Sequence, residues 1–139
     1  MTTPKRVVVE ATRRRRSPEL LSVKVLVLPD AEPDLSFWDQ SVDPDKQNDY
    51  DYEERKEAYR RGEFSFVGVR AEAEITVDGI IQTIVSGGLW GVESDSDATY
   101  IKEVAGEEYN DLRRILKTLG VPTSQLPAEV DSSQIEWRV

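Results

Sequence analysis

The sequence predicts an α+β fold: one domain over residues 1–139, with a mostly antiparallel β-sheet packed against one long C-terminal helix and one shorter helix. Three observations predict it. Val67, Val69, Ala71, Ala73, Ile75 and Val77 alternate with Gly68, Arg70, Glu72, Glu74, Thr76 and Asp78, the period-two pattern of a strand with one apolar and one wet face. Asp78-Gly79 follows at once, a pair suited to the positive dihedrals of a type I′ hairpin turn. Ile101, Val104, Ala105, Tyr109, Leu112, Ile115, Leu116 and Leu119 then recur at three- and four-residue spacing and draw an apolar stripe along a helix. A one-sided sheet and an amphipathic helix each need a cover, and each supplies the other's.

The elements follow in chain order. Val7-Val8-Val9 is β-branched and suits a first strand, and Leu21, Val23, Val25 and Val27 form a second. Between them, Arg13, Arg14, Arg15 and Arg16 repel one another and are costly to bury, so they project from a turn. Residues 29–49 read as an acidic connecting loop punctuated by Pro29, Pro33 and Pro44, in which Phe37 and Trp38 anchor the loop to the body. From Asp51 to Arg61 the composition is helical, acids leading and Arg60-Arg61 closing, with Gly62 as C-cap and Tyr52 and Tyr59 on the inward side. Phe64 and Phe66 have the opposite parity from Val67 onward, which predicts a bulge near Val67-Gly68.

After the turn, Ile80 to Leu89 returns antiparallel, and Gly87 to Asp97 hands the strand over to the long helix. There the glycines set a bend, Trp90 fills the edge of the core, and Asp95, Ser96 or Asp97 caps a helix from about Ala98 to Leu119. Gly106 is a point of weakness in that helix, and Gly120 followed by Val121-Pro122 stops it. Residues 121–134 form a polar connection to a C-terminal strand or arm at Ile135–Val139.

Composition narrows the chemistry. The 139 residues suit one core, and cysteine and histidine are both absent, so disulfides, thiolates, imidazole bases and the usual zinc sites are excluded. No cofactor is called for. The formal net charge of -9 disfavours nucleic acid, although residues 1–28 carry a net +5. Neither a run of 18 apolar residues nor an apolar N-terminal leader is present, so no membrane partner and a cytoplasmic location are expected.

Two acidic clusters raise the question of a hard cation. Asp43, Asp45, Gln47, Asp49, Asp51 and Glu54 occupy relative positions 1, 3, 5, 7, 9 and 12 of an EF-hand loop, but Asn48 stands at the sharp-turn glycine and no entering helix is indicated. A solvated acidic connection is the competing reading. Glu93, Asp95 and Asp97 align on one side if their segment is extended, and cap amides if it turns into a helix; the second needs no metal. Ser86-Gly87-Gly88-Leu89-Trp90-Gly91 lacks the Gly-Lys-Ser/Thr ending of a phosphate loop and the spacing of a dinucleotide fingerprint.

Pro33-Asp34-Leu35-Ser36-Phe37-Trp38, Phe66-Val67-Gly68-Val69 and the string from Ser86 to Asp97 resemble segments of small uncharacterised proteins from bacteria and their phages, over about residues 20–120. That resemblance implies a phage or mobile-element origin and carries no activity. The expected function is therefore a small acidic, non-enzymatic interaction protein that binds a host or phage protein. Its candidate contacts are Arg13, Arg14, Arg15, Arg16, Phe37, Trp38, Trp90, Glu93, Asp95 and Asp97. The alternative is a metal-dependent enzyme or calcium-stabilised module using the clustered carboxylates.

Overall fold

The structure, a computed structural model, describes residues 17–39 and 52–139, apart from the side chains of Phe37 and Asp39. The expected Val7–Val9 strand, the four-arginine turn and the EF-hand-like positions 43–51 lie outside the described residues. The rest is an α+β domain with a five-stranded sheet and two α-helices. β1 (Glu19–Pro29), β2 (Phe66–Val77), β3 (Ile80–Val85), β4 (Leu89–Glu93) and β5 (Ile135–Trp137) form the sheet. α1 (Tyr52–Arg60) and α2 (Ala98–Thr118) are the helices, and short 3₁₀ turns lie at Ser36–Asp39, Thr123–Gln125 and Ser132–Gln134.

β2 organises the sheet. One of its edges pairs antiparallel with β1 from Val67↔Pro29 to Thr76↔Glu19, and β5 adds parallel to the far side of β1. Its other edge is shared, with β3 opposite Glu72–Val77 and β4 opposite Phe66–Val69. The hairpin turn is the expected one, since Asp78 (φ 51°) and Gly79 (φ 82°) both occupy the left-handed region.

Alternation along β2 places Val67, Val69, Ala71, Ala73 and Ile75 on the face covered by α2. That helix contributes Ile101, Val104, Ala105, Tyr109, Leu112 and Leu116, so stripe and sheet face bury each other. Asp97 caps it through Thr99 N–H (2.9 Å). It runs unbroken past Gly106 and stops at Gly120 (φ 99°), where Gly120 N–H donates to Lys117 O and Val121 N–H to Leu116 O (each 3.0 Å). Those two bonds satisfy carbonyls the helix end would leave bare.

The register shifts between Val67 and Val69, where a bulge is expected, but the parity of Phe66 is not its cause: that parity serves a second small core of Trp38, Ala58, Phe64 and Phe66, closed by Leu35, Tyr52 and Tyr59. Its rings meet edge-on or tilted, as Trp38–Tyr59 at 5.4 Å and Phe64–Phe66 at 5.6 Å do. The irregularity falls across the ladder in β4, where Val67↔Val92 and Val69↔Leu89 leave one extra residue among Trp90 and Gly91 (φ 75°). Residues 121–134 are likewise more than a polar connection, since Val121, Leu126 and Val130 are buried in the main core.

Candidate functional site

The junction from Ser86 to Asp97 first breaks one returning strand and only then hands over to the helix. β3 ends at Val85, the chain jogs through Ser86-Gly87-Gly88, β4 resumes against the same edge of β2, and residues 94–97 lead into α2. Sequence reasoning missed what fixes the jog. Glu108, on α2 and 8% exposed, accepts from Ser86 Oγ (2.7 Å) and Gly88 N–H (2.8 Å) through the same oxygen. Ser86 Oγ in turn accepts from Ala71 N–H (3.0 Å). A carboxylate on an apolar stripe must find donors, and the Ser86 hydroxyl and the Gly88 amide at the strand break supply them. The position was legible in principle, because Glu108 falls three residues after Ala105 and four before Leu112 on the apolar stripe.

This jog governs Trp90. The indole lies flat on Gly68, where an added Cβ would meet ring atoms at 2.0–2.5 Å. Trp90 Nε1 donates to Gly87 O (3.2 Å), and a Cβ at Gly88 would stand 2.8 Å from that nitrogen. Asp30 completes the seat by accepting from Gly91 N–H (3.0 Å). Gly68 lies between the inward Val67 and Val69, so Trp90 lies on the face of the sheet away from α2. The expectation that it closes the core is corrected: it is 43% exposed. Val85 and Ile81 lie opposite Glu72 and Thr76 of β2 and share that outer face, 40% and 61% exposed.

The acidic string is consumed by structure. Arg55 of α1 donates to Glu93 through Nε (3.2 Å) and Nη2 (3.1 Å) and to Asp95 through Nη2 (2.6 Å), with its guanidinium 4.0 Å above the Phe64 ring. The bonds to Asp95 and Glu93 raise the guanidinium pKa, while partial burial opposes them. Arg55 therefore stays a permanent cation clamping α1 to the end of β4. Ser94 exchanges bonds with Ser65, Ser96 Oγ donates to Glu93 O, and Asp97 caps α2. Glu93 and Asp95 thus meet on the Arg55 guanidinium, while Asp97 stands apart as the cap of α2, so the three do not converge on one point.

The remaining candidates scatter. Trp38 is buried in the aromatic core, and Glu54 lies on α1 as an exposed residue. Arg13, Arg14, Arg15, Arg16, Asp43, Asp45, Gln47, Asp49 and Asp51 lie outside the described residues, as does the Phe37 side chain. Among the described residues no cluster of three or more acids could hold a metal ion, and no helix is long and apolar enough to cross a membrane. A shallow groove of about 440 Å³ separates the first turn of α2 from β5, lined by Ile101, Lys102, Ile135 and Trp137 among others. Compared with protein-family models, curated proteins and solved structures, the chain matches none.

Proposed function

We propose that this chain is a non-enzymatic interaction protein, a phage or mobile-element accessory factor of the cytoplasm, whose contact surface is the outer face of the sheet around Trp90. One observation carries the reading: a half-exposed tryptophan is held in a single pose by Gly68, Gly87 and Gly88. An aromatic side chain already ordered in the free protein loses little entropy on binding, and such anchors dominate interface energetics. Core packing does not account for the seat, because the ring contributes only one side to the protein.

The partner expected is a protein with an apolar pocket rimmed by basic residues. A net charge of -9 speeds encounter with such a surface, and the desolvated indole slows dissociation. The test is retention of a stoichiometric partner by tagged wild-type protein and by Trp90→Ala, purified side by side from the native cell at low and at moderate salt. A partner kept by the wild type, lost by Trp90→Ala and weakened by salt supports the proposal. A partner retained equally by a folded Trp90→Ala protein refutes it.

A further inference from the structure

We propose that β3 is an edge through which two copies of this chain pair, antiparallel, about a two-fold axis at Thr83. The backbone phase is fixed by the hairpin. Val77 and Ile80 close a two-residue turn as a hydrogen-bonded pair, and Ser86 N–H, of the same parity as Ile80, donates to Ala71 O (2.9 Å). The intervening Ile81, Thr83 and Val85 therefore aim their N–H and C=O groups away from β2. Among the described residues no strand takes that side, and Ile80 and Ile81 are each 61% exposed.

Natural sheets blunt such edges with charge, proline, bulges or brevity. The opposite edge follows the rule: β5 has only three residues, with Glu136 bound to Arg138 (3.2 Å) and Lys24 (3.8 Å) across its outer side. β3 follows none of it. Ile80-Ile81-Gln82-Thr83-Ile84-Val85 pairs without a register shift and contains neither charge nor proline. It lies within Gly79–Val92, fourteen consecutive uncharged positions and the longest such run in the chain.

That neutrality selects the occupant. Two copies each carrying -9 repel wherever their carboxylates meet, and β3 is the edge on which they meet none. A two-fold at Thr83 sets Ile81 against Val85 of the second copy and Thr83 against itself, which uses every outward N–H and C=O of the three residues. Opposed residues share a face in this register, so α2 of both copies covers one side and both Trp90 rings stand on the other. Among the described residues each copy has no other long open edge, so the assembly closes at two. A contact of one short strand buries less than about 1,000 Å², the size of a weak, reversible association.

Sedimentation velocity of the full chain from about 1 µM to about 1 mM tests this, with Thr83→Lys and Trp90→Ala alongside. Wild type and Trp90→Ala shift from monomer to dimer with concentration, whereas Thr83→Lys stays monomeric with an unchanged melting temperature. In wild type the amides of Ile81, Thr83 and Val85 exchange more slowly as concentration rises, a readout independent of any variant. A chain monomeric throughout, a Thr83→Lys dimer of undiminished affinity, or exchange at those amides indifferent to concentration overturns the proposal. The outcome is independent of the Trp90 reading, since Trp90→Ala leaves β3 intact.

Discussion

Glu108 and Gly68 carry disproportionate weight for single residues. Glu108 is the acceptor for two donors of the strand break, so Glu108→Ala leaves Ser86 Oγ and Gly88 N–H without their partner at a cost of about 2–3 kcal/mol. Glu108→Gln keeps an acceptor oxygen in the same place and loses less than half of that, as chemical denaturation of the two variants measures. Gly68→Ala puts a methyl group where the Trp90 ring lies. The ring has open solvent on its other side and swings out, so acrylamide quenching of tryptophan emission rises and stability falls by about 1 kcal/mol or less. Neither residue could be assigned its job from the sequence. A glycine in an alternating strand reads as weakness until the ring that occupies its missing side chain is located, and its partner is 22 positions downstream.

At the scale of elements, the parts set by local rules were legible and those set by distant partners were not. The Asp78-Gly79 turn, the α2 stripe and the Gly120 stop each depend on residues within a turn or two of one another, and each forms where the pattern puts it. The division of the return strand into β3 and β4 depends on Glu108, and the clamping of α1 to β4 depends on Arg55 reaching Glu93, 38 residues away. Phe64 and Phe66 misled for the same reason: their parity is correct for a face whose cover comes from α1 and Trp38. Arg55→Ala frees α1 from β4 and costs on the order of 1 kcal/mol, less at high salt, because the Asp95 half of the pair is partly in water. Hydrogen exchange at the α1 amides quickens more in that variant than at α2. Asp97→Ala removes the α2 cap and costs about 1 kcal/mol by thermal melting.

For the molecule as a whole, pH acts at both ends of the scale. Asp131 is held below its ordinary value chiefly by Ser133, Glu136 by Arg138 and Asp34 by Ser36. A depressed carboxylate adds stability that is present above its unfolded pKa and lost as pH falls, so all three weaken the fold below about pH 4. Tyr109 behaves oppositely. Burial raises its phenol, so its contribution is complete below the ordinary tyrosine pKa of about 10 and disappears as pH rises through the folded value. Its hydroxyl donates to Pro127 O and ties α2 to the 121–134 segment. Tyr109→Phe costs about 1 kcal/mol at neutral pH and flattens the alkaline limb of a stability profile.

The fold thus has one tryptophan inside, Trp38, and two at its surface, of which Trp90 is the one seated over a glycine. Trp38 is 7% exposed within the aromatic core, whereas Trp90 is 43% exposed over a glycine. Equilibrium unfolding of Trp38→Ala and Trp90→Ala in urea separates the two roles most directly. Trp38→Ala is expected to lose about 3–5 kcal/mol and Trp90→Ala about 1 kcal/mol or less, with an unchanged slope. A loss from Trp90→Ala as large as that from Trp38→Ala would make Trp90 a core residue and contradict its assignment as a displayed contact.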